Sequence, residues 1–313
     1  MRDVRAELVR SKAYRITYWV WPLILLSTLA AVAFSSSAIQ KALEEGATPT
    51  SQIEAVAFMP GSPTFFSGLL LAFWTTTLVT ADWSSGTINH IHMAMSDGRI
   101  LRAKLIMVSA ASLLTTVITT GTAVALSFLL LPSSLVLATL PSSVFWVNVL
   151  GTLAVHLTWG LLALVAAWWL PKPALSVGAV LVVVLGAPAL ETAFASAGVS
   201  TPVFSYLPSS LMNTATLTGS ELATKMTPLM AGLLLVAWCA VALASAPIAG
   251  AASTAEPPRR LSRIGEHPNL AALPLQDGNT HTSGHCRGRS LRRQCFAEVP
   301  IGGAFHRGGR DRT

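Results

Sequence analysis

Apolar residues fall in long blocks along this chain, without strict alternation and without a narrow amphipathic stripe. Six such blocks, roughly residues 16–34, 63–81, 105–131, 144–170, 174–190 and 227–249, approach or exceed bilayer length. A hydrocarbon core of about 30 Å needs ~20 residues of helix, so each block predicts a transmembrane helix. The fifth block is the shortest. No Asp, Glu, Lys or Arg interrupts Ala55–Ala81, Leu105–Pro171 or Met226–Ala255. Pro132 and Pro141 predict a helical hairpin turn between the third and fourth spans. Residues 191–225, with Pro202, Pro208 and few charges, read as an external connection. The expected fold is an all-α, polytopic membrane protein of six transmembrane helices over residues 16–250.

Composition narrows the class. Of 313 residues, 52% are hydrophobic and only 11% charged, against roughly 25% charged in soluble domains. A globular enzyme with a solvated face is therefore excluded. The net charge of +7 is uneven, because residues 1–250 carry 11 Lys and Arg against 9 acids. Residues 251–313 carry 10 Arg against 5 acids, with no sustained apolar period. Such a segment buries too little apolar area to offset its ordering entropy, so a disordered basic tail is expected, in contact at most with anionic lipid.

Lys and Arg also orient the spans. Nine of them (Arg2, Arg5, Arg10, Lys12, Arg15, Arg99, Arg102, Lys104 and Lys172) fall on one side, and Lys41 and Lys225 on the other. Both termini are thus expected in the cytoplasm, with residues 1–15 as an amphipathic interfacial helix. The first apolar run, about 19 residues, exceeds the 7 to 15 of a signal-peptide core and is expected to stay in the chain. Basic charge of this kind sets topology, and nucleic acid is not an expected partner.

Catalytic motifs are missing from the sequence. There is no G-x-x-x-x-G-K-[ST] and no H-E-x-x-H, so neither a phosphate-cradling loop nor a zincin site can form from this chain. The three cysteines, Cys239, Cys286 and Cys295, fit no disulfide framework and no zinc spacing. No catalytic, cofactor-binding or metal-ligating residue is expected. The one mid-span ionisable residue is His156, and such groups are functional candidates by default. Asn148, Thr152, His156 and Gly160 recur every four residues on the fourth span and share one face. On the third span Thr115 and Thr119 belong to a hydroxyl-rich face. Two readings stay open for these residues: interhelical packing through hydroxyls, or the lining of a translocation path.

The loop over residues 82–104 is the most specific feature. Ile88, Ile91 and Met95 have helical spacing, and Ser96-Asp97-Gly98 marks a turn before the third span. Asp82 near the end of the second span, then Gly86-Thr87-Ile88, then Arg99, then Ala103-Lys104 opening the third span, resembles the permease subunits of type-2 ATP-binding-cassette transporters. The start, with Glu7-Leu8 followed by Arg10, Lys12, Tyr14 and Arg15, is similar to that family's leading amphipathic segment. Asp82 replaces the usual Glu, and Ser96-Asp97-Gly98 stands where a Pro is common.

The resemblance covers roughly residues 1–250, and what it implies is concrete. Two permeases, in a homo- or heterodimer within a prokaryotic-type plasma membrane, would form the path. ATP and Mg would be bound by a separate ATPase subunit. Residues Asp82, Gly86, Thr87, Ile88, Ile91, Met95 and Arg99 would couple to that subunit. An apolar, hydroxyl-lined path favours an amphipathic, lipid-like or drug-like cargo, with export as the expected direction. The competing class is a structural or sensor membrane protein that moves nothing.

Overall fold

The computed structural model describes residues 2–84, 97–197, 205–216 and 226–254. About 90% of these are helical, and no strand occurs among them. Helix α1 spans Arg2–Ala13 and α2 spans Arg15–Glu44. Tyr14 separates them with extended backbone, φ −84° and ψ 121°. Helix α2 ends where Gly46 takes φ 79°, with Gly46 N–H donating to Leu43 O and Ala47 N–H to Ala42 O. That pair of bonds is a Schellman stop, and it needs a residue at ease in the left-handed region. Helix α3, Pro49–Ala57, starts on Thr48, whose hydroxyl accepts from Ser51 N–H.

A buried 3₁₀ turn at Met59–Gly61 leads into α4, Thr64–Ser84. Then follow α5 (Asp97–Leu130), α6 (Ser133–Thr139), α7 (Ser143–Trp169), α8 (Pro173–Ser196), α9 (Pro208–Thr216) and α10 (Pro228–Thr254).

Five of these stretches are long and apolar enough to cross a membrane: Arg15–Glu44, Pro49–Ser84, Gly98–Leu130, Ser143–Trp169 and Pro228–Ser245. The fifth block of the sequence is the exception. It is helical, but its apolar part, Pro173–Gly186, falls in the shorter class. The connection between the third and fourth spans at Pro132–Pro141 contains the short helix α6, which Pro132 starts as N-cap and which packs on α3. Residues 191–225, where the resemblance implies short external helices, include one short helix, α9, among the described residues. It turns inward, burying Leu211, Met212 and Ala215 against α7 and α10.

Helix α7 is the centre of the bundle, touching α4, α5, α8, α9 and α10. An all-round apolar helix belongs in such a place. Close approach there depends on small residues. A Cβ on Gly68 of α4 would enter the Trp159 indole, and one on Gly151 of α7 would strike the Ala215 carbonyl oxygen of α9. The polarity of the bundle is inverted relative to a soluble protein. On α5, Ser112, Thr115, Thr116 and Thr119 face inward, while Leu113 and Val117 are 53% and 60% exposed. Exposed apolar side chains on α2, α5, α8 and α10 suit hydrocarbon as solvent, where hydroxyls and small residues make the helix contacts.

Candidate functional site

Charged side chains meet at one end of the bundle, where α1 lies against α5 and where α4 ends. Lys104, in the third turn of α5, points its ammonium at Asp82 on the last turn of α4, Nζ to Oδ2 2.6 Å. The same ammonium reaches Glu7 Oε2 of α1 at 3.4 Å and donates to Leu78 O at 3.4 Å. Glu7 is held by Arg10 one turn on, at 2.7 Å, and Arg10 lies 3.7 Å from Asp82 Oδ2. Asp82 and Lys104 are sealed from solvent, Glu7 nearly so, and Arg10 is partly exposed. Among the described residues, two acids and two bases therefore pair with one another in a single, largely buried cluster. Burial of so much charge is tolerable only with such pairing.

The Tyr14 hydroxyl closes the group, 3.4 Å from Asp82 Oδ1. Burial first, and the Asp82 carboxylate second, push its phenol up to about 12. Beside the cluster, Trp83 and Trp168 stack edge to face with centroids 6.5 Å apart, and Trp74 Nε1–H donates to Thr17 across α4 and α2.

Of the expected coupling residues, Asp82 belongs to this cluster. Arg99 does not, being exposed on the first turn of α5. Gly86, Thr87, Ile88, Ile91 and Met95 lie outside the described residues. Glu7, Arg10, Tyr14 and Lys104 complete the site and were not assigned to it from sequence. A usable signal existed: Asp82 and Lys104 are single charges bordering the two longest neutral stretches of the first half of the chain. Charges so placed need a partner, and the two stand at the facing ends of consecutive spans.

The second group of expected residues lies mid-bundle. His156 is fully buried, with Nε2 2.7 Å from Ser67 Oγ of α4 and Nδ1 2.9 Å from Thr116 Oγ1 of α5. Its carbonyl accepts from Ser112 Oγ at 3.3 Å. Both ring nitrogens are thus engaged by neighbouring helices, and the imidazole ties α4, α5 and α7 together. Thr115 and Thr119 donate back to their own helix, to Ala111 O and Thr116 O. Asn148 Nδ2 donates to Thr216 O of α9 at 2.5 Å, while Asn148 Oδ1 and Thr152 Oγ1 have no hydrogen-bond partner. All five candidate path residues have no exposed surface. In this arrangement they are sandwiched between helices of one chain, and a path along this face is closed.

Among the described residues no group of three or more His, Cys, Asp or Glu is placed to hold a metal ion. No protein-family model matches the chain, and no curated protein is significantly similar to it. The class therefore rests on the chain itself: an all-α, multi-pass membrane protein with a buried, neutralised charge cluster at one end of its helices.

Proposed function

We propose that the chain is the membrane-spanning, non-catalytic permease subunit of an ATP-binding-cassette transporter, moving an amphipathic, lipid-like or drug-like cargo outward. The supporting observation is the four-charge cluster. It joins the leading helix to the facing ends of the two spans that flank, in the sequence, residues 85–96, which carry the family-like pattern. A force applied to that loop by a partner ATPase would pass into α1, α4 and α5 together, because ion pairs lock their ends. Helix α8 supports a sixth crossing, since its 24 residues reach about 36 Å at 1.5 Å per residue. Six crossings with basic residues inside leave both termini in the cytoplasm of a plasma membrane. The chain would act as a homo- or heterodimer, with ATP and Mg held by the separate ATPase subunit.

Reconstitution tests this reading. The full chain is placed in proteoliposomes with a candidate ATPase subunit from the same cell, and ATP hydrolysis and lipid-probe efflux are measured. The expected result is hydrolysis that rises with the permease, and efflux that needs ATP. Ile91→Asp should insert normally but fail in both, because it would bury an unpaired charge in the ATPase groove, at a cost of several kcal/mol. Hydrolysis and efflux unaffected by the permease would instead favour a structural or sensor protein.

A further inference from the structure

A cleft of about 190 Å³ opens between α4, α7, α8 and α9. Val155 and Trp159 of α7 and Val184 of α8 form its apolar floor. Phe65 and Leu185, 37% and 47% exposed, stand among the residues of its wall and are continuous with the lipid-facing surface of α4 and α8. The polar lining comes from Thr64, Ser209, Asn213 and Thr216.

Ser209 is the informative one. It is 96% buried, given its 4% exposure, and its Oγ has no hydrogen-bond partner. The neighbouring hydroxyls differ, since Thr64 donates to Gly61 O and Thr216 to Met212 O. A buried hydroxyl left unpaired is unfavourable, and a ligand in the cleft would supply what the protein does not.

Three properties define that ligand. Among the described residues the lining holds no Asp, Glu, Lys, Arg or His, so a charged group would meet no counter-ion among them. The volume is below the roughly 300–1,000 Å³ of drug-sized pockets, so the cleft admits a slender chain and excludes a bulky ring system. The exposed apolar residues of its wall adjoin hydrocarbon, which makes the bilayer the source. We propose that this cleft binds a single-chain, uncharged amphiphile from the membrane, its hydroxyl bonded to Ser209 Oγ and its chain laid on Trp159 and Val184. Asn213, exposed at the rim, offers an amide to the same head group. The inference concerns binding alone and stands whether or not the chain moves its ligand.

Photolabelling decides it. The full chain, in phosphatidylcholine nanodiscs, is exposed to a long-chain primary alcohol bearing a diazirine on its chain. Labelling of α7, α8 and α9 should saturate and be displaced by unlabelled alcohol. Ser209→Ala removes a hydroxyl with no protein partner, so the fold should persist while apparent affinity falls about three- to tenfold, the worth of one hydrogen bond. Val184→Phe fills the floor and should abolish saturable labelling. The matching carboxylate probe should not saturate. Label spread over α2 and α10 without saturation, undiminished labelling in both variants, or equal labelling by the carboxylate would each overturn the proposal.

Discussion

Lys104 Nζ lies 2.6 Å from Asp82 Oδ2, and neither side chain reaches solvent. The two residues stand on opposite sides of the loop between α4 and α5, so their ion pair closes that loop at its base. Glu7 and Arg10 bring α1 onto the same point.

Breaking the pair from one side strands a buried charge. Lys104→Met or Asp82→Asn is expected to cost about 3–5 kcal/mol. Asp82→Leu combined with Lys104→Met should recover most of that, because Glu7 and Arg10 still neutralise each other. Thermal melts in detergent read the three proteins. A double variant no better than either single would show that the pair does not act as a unit.

Gly151 is needed for the seating of α9. Its missing Cβ leaves room for the Ala215 carbonyl, a backbone atom that cannot rotate away. Gly151→Ala should therefore destabilise by about 1–3 kcal/mol. Gly121 on α5 has nothing within 4 Å of its would-be Cβ, so Gly121→Ala should be neutral or stabilising by up to ~1 kcal/mol. Equal melting temperatures for the two variants would contradict the close contact.

Tyr14 predicts an alkaline effect. Its phenol is raised from 10.0 to about 12, by burial and then by Asp82. Below pH 10 the group is protonated both folded and unfolded, and its contribution is fully present. Between 10 and 12 only the unfolded chain ionises, so stability falls as pH rises through that window. The phenolate absorbance difference between wild type and Tyr14→Phe should titrate near 12. A midpoint near 10 would mean that the hydroxyl is not held beside Asp82.

Topology is accessible to labelling. In a variant lacking Cys239, Cys286 and Cys295, a cysteine at exposed Ser51 should react with an impermeant reagent added outside intact cells. One at exposed Ser84 should react only after permeabilisation. Labelling of Ser84→Cys from outside would reverse the orientation drawn from the basic residues.

The hydroxyl face of α5 shows how far local pattern reaches. Residue spacing alone places Thr115 and Thr119 together with Ser112 on one side of the helix, because 3.6 residues per turn is a property of the backbone. Whether that side lines water or packs on a neighbour depends on what lies opposite, and His156 belongs to another helix. Residue spacing left both uses open; in this arrangement His156 bonds Ser67 and Thr116, so the face packs on neighbouring helices.

Hydrophobic blocks by themselves determined the helical, membrane-spanning class, since transfer into hydrocarbon is decided residue by residue within about 20 positions. Local pattern by itself does not mark 133–139 and 208–216 as helices, which are too short to register alone and are stabilised by the surfaces they cover. Only the tertiary structure decided that Glu7, Arg10, Asp82 and Lys104 share one buried site. Charge attraction inside a bundle depends on distance in space, and these four are drawn from three helices separated by up to 97 positions in the chain. Their meeting follows from how α1, α4 and α5 pack, which no stretch of the sequence encodes alone.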